Sequence, residues 1–204
     1  MIKKLINPFN YIAGTKSMIF GLAIIFITSL TGFYSNTFFP DILSVKTGVE
    51  LTFIDSLLFN IVNWLSLSLL LYIASLIFSK SSIRFIDLFG TQALARSPYL
   101  LAALLGFSKS INRLGEYFLW KYLSIGEPTH ITPYEMTIAV VLLTLTVIIA
   151  IWMVTLMYNA FKVSSNIKGG KSVTIFIIVF ILSVILSAIA NNMIYNTLQQ
   201  YNNV

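Results

Sequence analysis

Asp87, Gln92 and Arg96 lie inside one apolar stretch, Ile83–Phe107, which reads IRFIDLFGTQALARSPYLLAALLGF. A carboxylate, an amide and a guanidinium each need a partner inside hydrocarbon, because lipid tails supply none. The planar fork of donors on arginine suits a phosphate or carboxylate. A second polar set, Ser56, Asn60 and Asn63, recurs at spacings of four and three, on one helix face. Hydrogen bonding between helices and the lining of a polar cavity both account for such a face. Arg96, Asp87, Gln92, Asn60 and Asn63 are thus the candidate ligand- or lipid-binding residues. Gly90, Ser97, Pro98, Tyr99, Ala102 and Gly106 are the candidates for a helix break and close packing. Ala102 and Gly106 form a small-xxx-small pair.

Bond-breaking chemistry has little to work with. The chain has no cysteine and one histidine, His130, so thiolate sites and sites needing two imidazoles are excluded. H-E-x-x-H is absent. His130 falls in a connecting segment beside Pro128, with no serine placed for it to activate. Gly169-Gly170-Lys171-Ser172 ends like a phosphate-binding loop, but lacks the earlier glycine and a preceding strand. No enzyme activity, metal or cofactor is expected.

The elements that must position these residues are membrane spans. Of 204 residues 57% are hydrophobic and 10% charged, against about 25% charged in a soluble domain. The mean hydropathy is +0.88. So few charges cannot cover a water-facing surface. The expectation is an all-α polytopic membrane protein, one domain over 1–204, in a bacterial inner membrane. Helix-length apolar runs argue against an outer-membrane barrel. The net charge of +6 is spread between apolar runs, which fits loop anchoring rather than nucleic acid.

Five transmembrane helices are expected, at about 17–34, 55–79, 86–107, 133–160 and 172–197. Residues 1–16 form a short basic cytoplasmic N-terminus, and the first apolar run, without a clean small-x-small cleavage site, reads as a retained span. Residues 35–54 and 109–131 read as outer connections. Within the second, 109–122 carries Ile111, Leu114, Phe118, Leu119 and Tyr122 at helical spacing, an amphipathic helix on the membrane surface. Thr132-Pro133-Tyr134-Glu135 has the capping-box form and starts the fourth span. The inner segments then hold eight basic residues against one acid, Asp87. The outer segments hold four basic residues against six acids. This bias places the N-terminus inside and the C-terminus outside. A four-span arrangement with the central stretch wholly inside would put Lys162–Lys171 outside and break it.

The third span poses a physical problem. Arg96 follows Arg84 by twelve residues, about 18 Å along a helix in a hydrocarbon core ~30 Å thick. An arginine at that depth costs about 2.5–3.5 kcal/mol on the insertion scale. Asp87 is half a turn out of phase and cannot pair with it in a straight helix. The candidate partners are the Asn60/Asn63 face, the Leu94 carbonyl freed by Pro98, or an external phosphate or anion. Alternatively the helix breaks at Gly90 and Ser97-Pro98, with Ser97 capping the second piece.

NPFNYIAG near the N-terminus, FGTQALARSPYLLAALLGF at the centre and the five-span pattern resemble the Yip family (Ypt/Rab-interacting membrane proteins), in its bacterial form. Gly90 and Pro98-Tyr99 fit the glycine-then-proline pattern of that family's third span. The resemblance implies a five-helix domain with a cytoplasmic N-terminus. Eukaryotic members are associated with vesicle traffic, membrane shape and Rab-type GTPases. With an N-terminal region of only 16 residues, GTPase binding is not expected here. Two functions stay open: a non-enzymatic protein organising lipid or partner proteins, and a small transporter or lipid-moving protein in which a homodimer completes the pathway.

Overall fold

Two of the long helices begin at a threonine placed three residues before a carboxylate. The computed structural model of the chain describes residues 6–202; Lys3 and Lys4 of the expected inner segment and the last two residues of the polar tail lie outside them. At Thr52 and Thr132 the hydroxyl accepts the backbone N–H of Asp55 and Glu135, and each carboxylate accepts the threonine N–H in return. Each box satisfies two backbone donors that a helix start leaves over. The box at Thr132 is the one expected from sequence.

A 3-10 turn at Pro8–Asn10 leads into α1, Gly14–Tyr34. Two short antiparallel strands follow, β1 at Thr37–Phe38 and β2 at Lys46–Thr47, with Thr37 opposite Thr47. Then come α2 (Phe53–Phe78), α3 (Phe85–Ala95), α4 (Pro98–Leu105), α5 (Ser110–Leu123), α6 (Pro133–Ser165) and α7 (Gly170–Asn202). Among the described residues α1, α2, α6 and α7 are long and apolar enough to cross a membrane. They correspond to the expected spans 17–34, 55–79, 133–160 and 172–197, with ends shifted by a few residues. The chain is a mostly helical membrane protein.

The stretch expected to form a helix over 86–107 is two helices. Pro98 has no N–H, so the Leu94 carbonyl loses its α-helical donor. The Ser97 N–H takes that carbonyl at 3.1 Å, and the Arg96 N–H takes Ala93 O at 3.3 Å, tightening the turn between α3 and α4. The expected side-chain cap at Ser97 does not form. Its backbone, φ −52° and ψ −33°, stays in the helical region, whereas a capping residue is extended.

Gly90 does not break the helix. It lies inside α3, where a Cβ would come within 2.8 Å of the Met18 backbone nitrogen on α1. Across the same contact a Cβ on Gly21 would lie 2.6 Å from the Leu94 nitrogen. The two glycines let α1 and α3 pack backbone to backbone. At one end of this contact the Asp87 carboxylate lies beside Gly14, at the start of α1. At the other end Gly106, just past α4, sits against Thr37 and Ser35, just past the end of α1. α3 and α4 in series therefore connect the end where α1 begins to the end where it finishes.

The 35–54 segment, expected as an outer loop, turns inward instead. Phe39 and Ile42 are fully buried and belong to the hydrophobic core with Trp64, Leu71, Tyr99 and Met153. Burying these side chains outweighs exposing the loop to water, provided its backbone polar groups find partners. α5 is the expected amphipathic helix, observed at Ser110–Leu123 rather than 109–122. It buries Leu114, exposes Phe118, Leu119 and Tyr122, and is tied to the start of α6 by an ion pair between Arg113 and Glu135. Lys121 donates to the Tyr117 hydroxyl, and that bond raises its pKa above the usual lysine value.

Candidate functional site

The polar face of α2 meets protein at each of its three positions. Ser56 Oγ donates to Ser29 O at 3.1 Å. Asn60 Nδ2 donates to Ser29 Oγ and to Ser56 O, both at 3.1 Å. Asn63 Nδ2 donates to Phe39 O at 2.9 Å. The upper part of this face thus holds α1, and the lower part holds the inward-turning loop. Of the two accounts of this face, hydrogen bonding to neighbouring segments is the one these contacts match.

Side chains from three further places complete the loop's support. Asn191, on α7, donates through Nδ2 to Pro40 O at 2.9 Å and to Asn63 Oδ1 at 2.8 Å. The Tyr99 hydroxyl donates to Ile42 O at 2.9 Å, and its ring stacks on Phe39 with centroids 4.9 Å apart. Asp41 turns back on its own segment, where Oδ1 accepts the N–H groups of Leu43 and Ser44 at 2.7 and 2.8 Å. Carbonyls that would otherwise be orphaned in the core are satisfied in this way.

Arg96 sits at the turn between α3 and α4 and is 2% exposed. Its Nη1 and Nη2 have no hydrogen-bond partner among the described residues. The guanidinium lies 5.4 Å from the centroid of the Tyr99 ring, a cation–π arrangement. Neither of the partners expected for it within the chain is used: Leu94 O accepts the Ser97 N–H, and Asn60 and Asn63 bond elsewhere. The carboxylate whose charge acts on Arg96 is Asp41, brought in by the loop. The two do not touch as an ion pair.

The five candidate binding residues do not converge. Gln92 donates through Nε2 to Met157 O on α6 at 3.0 Å, and its Oε1 has no partner among the described residues. Asp87 lies at the far end of α3, where its backbone carbonyl accepts from Thr91 and Ser164. Asn60 and Asn63 belong to the α1 and loop contacts. Of the packing residues, Tyr99 and Ala102 are buried, Gly90 receives α1 and Gly106 receives the loop.

A pocket of about 440 Å³ opens where the loop meets the last turns of α7. Asp41, Ser44, Lys46, Asn191, Asn192 and Tyr195 supply its polar lining. Sequence reasoning placed Asp41 and Lys46 in a water-facing loop and did not single out Asn191. The clue was the Asn191-Asn192 pair after an apolar run in α7 and the apolar Phe38, Phe39 and Ile42 in a supposed loop. In comparisons with protein-family models, curated proteins and solved structures, nothing matches the chain.

Proposed function

We infer that this chain is a non-enzymatic membrane protein that organises lipid or partner proteins around a rigid, polar-cored bundle. The carrying observation is the way the 35–52 segment is fastened: α2, α4 and α7 each donate a side-chain hydrogen bond to its backbone carbonyls. A segment held from three helices suits a fixed surface better than a moving gate. The broad exposed apolar faces of α6 and α7 and the amphipathic α5 present that surface to lipid and to other membrane proteins, a second copy included.

On this reading the chain crosses the membrane five times, α3 and α4 making the third crossing together. The contacts of Asp87 with Gly14 and of Gly106 with Thr37, at opposite ends of α1, support it. The end bearing Lys16, Lys80, Arg84, Lys162, Lys168 and Lys171 is cytoplasmic by the charge bias. The membrane is a bacterial inner membrane and the family the Yip family, on the motifs described above.

The test is purification in mild detergent, followed by mass spectrometry of retained lipids and proteins and by imaging of reconstituted vesicles. Specific retention or altered vesicle shape is expected. A protein that keeps no lipid or partner and leaves vesicles unchanged overturns the reading. The Nη1 and Nη2 groups of Arg96, without a hydrogen-bond partner among the described residues, favour a second reading, movement of an anionic solute or lipid. That reading requires flux in reconstituted vesicles that Arg96→Ala abolishes.

A further inference from the structure

We propose that the pocket between the loop and α7 binds the headgroup of an aminophospholipid, with one acyl chain lying along α7. The inference rests on the lipid-organising reading above and names the lipid.

The floor of the pocket offers acceptors. Asn191 is 1% exposed, and both its amide hydrogens are committed, to Pro40 O and Asn63 Oδ1. Those two oxygens fix which end of the amide is nitrogen. Its Oδ1 therefore remains as a buried acceptor without a partner among the described residues. Asp41 in the same lining uses Oδ1 for the Leu43 and Ser44 N–H groups, which leaves Oδ2. A carboxylate and a buried amide acceptor in one pocket lining call for a group that is positively charged and carries N–H donors. A primary ammonium has both properties. A trimethylammonium has the charge alone.

The rim offers the opposite charge. Lys46, on β2, is exposed and lines the same pocket. Arg96, buried and outside the lining, adds a positive charge that acts on the same Asp41 carboxylate. A ligand with an ammonium alone would leave this positive excess unmatched, whereas a phosphate next to the ammonium answers it.

The wall says where the rest of the ligand goes. Ala188, Asn192 and Tyr195 line the pocket from one stripe of α7, and the same stripe continues as Ile185 and Ile181. Those two isoleucines are 52% and 54% exposed. They extend about 10 Å from Ala188 toward the middle of a membrane-spanning helix. A polar pocket that runs into an apolar track has the shape of one phospholipid.

The test uses the full chain in nanodiscs that hold equal amounts of phosphatidylethanolamine, its mono- and dimethylated forms, and phosphatidylcholine. Lipids that stay bound are counted by native mass spectrometry. Retention should fall stepwise with methylation, the ethanolamine form exceeding the choline form about tenfold, the effect of losing one charge-assisted hydrogen bond. Asp41→Asn keeps the acceptor for Leu43 and Ser44 but removes the charge, and should bring the ratio near one. Lys46→Gln should lower retention of all four lipids while preserving their ratio. Equal retention of the four lipids by the wild type overturns the proposal, while leaving a general lipid-organising role intact. Displacement of bound lipid by free phosphoethanolamine at matched concentration also overturns it, because the acyl track would then contribute nothing. The methylation series needs no variant, so the result stands even if Asp41→Asn fails to fold.

Discussion

The hydroxyl of Tyr99 donates to the carbonyl of Ile42 at 2.9 Å, joining residues 57 apart in sequence. Through that bond the first turn of α4 grips a loop that would otherwise sit in water. Tyr99→Phe keeps the ring on Phe39 and removes the donor, leaving a buried carbonyl unsatisfied. A loss of about 1–3 kcal/mol is expected, read as a lower unfolding midpoint in detergent. Tyr99→Ala, which also removes the ring, should cost about 3–5 kcal/mol.

Asn63 and Asn191 act as a pair. Their mutual bond, 2.8 Å, lies between two bonds to adjacent loop carbonyls, Phe39 O and Pro40 O. A double-mutant cycle with Asn63→Ala and Asn191→Ala should give a coupling of about 0.6–1.7 kcal/mol, the range for hydrogen bonds between membrane helices. Additive losses would mean that each amide holds the loop independently.

Glycines should answer to their surroundings, with opposite signs. Gly21→Ala drives a Cβ onto the Leu94 backbone and Ala93, where nothing can swing aside. It should cost about 1–3 kcal/mol or more. Gly115, in the exposed middle of α5, has nothing within 4 Å of its absent Cβ. Gly115→Ala should add about 0.5–1 kcal/mol, the helix-propensity difference. Thermal unfolding of both variants in one detergent checks the pair.

Arg96→Met should raise the unfolding midpoint. The substitution keeps a long side chain against the Tyr99 ring and removes a buried charge whose terminal nitrogens have no hydrogen-bond partner among the described residues. Replacement of buried ionic groups by apolar ones of similar volume gains about 1–4 kcal/mol in favourable cases. A strong loss of stability would instead show that the attraction of Asp41 and Tyr99 exceeds the cost of dehydration.

Length and apolarity were enough to locate α1, α2, α6 and α7, because a helix satisfies its own backbone in hydrocarbon and a long apolar run favours it there. The capping box at Thr132 was readable residue by residue. Gly90 and Pro98 illustrate the limit. Proline acts locally by removing one N–H, so a break at Ser97-Pro98 was open as an alternative to one helix over 86–107, and the structure takes it. Glycine permits a break and a close approach equally, and only the presence of Gly21 across the contact decides between them. The inward loop was hidden because Phe38, Phe39 and Ile42 are too few, and too interrupted by Pro40 and Asp41, to read as a buried element, and a segment between spans reads by default as wet. Asn191 became meaningful only once Pro40 was placed beside it.

The bond from Asn191 to Pro40 spans 151 residues, and that distance orders biosynthesis. During synthesis the first two spans enter the bilayer long before α7 leaves the ribosome. Until then the carbonyl of Pro40 and the amide oxygen of Asn63 lack the donor that Asn191 brings. α2 and α4 can already hold Phe39 and Ile42, and arrival of the last span supplies the remaining donor, at Pro40. Closure of the core around Phe39 and Ile42 is therefore complete only when the last helix has joined the bundle.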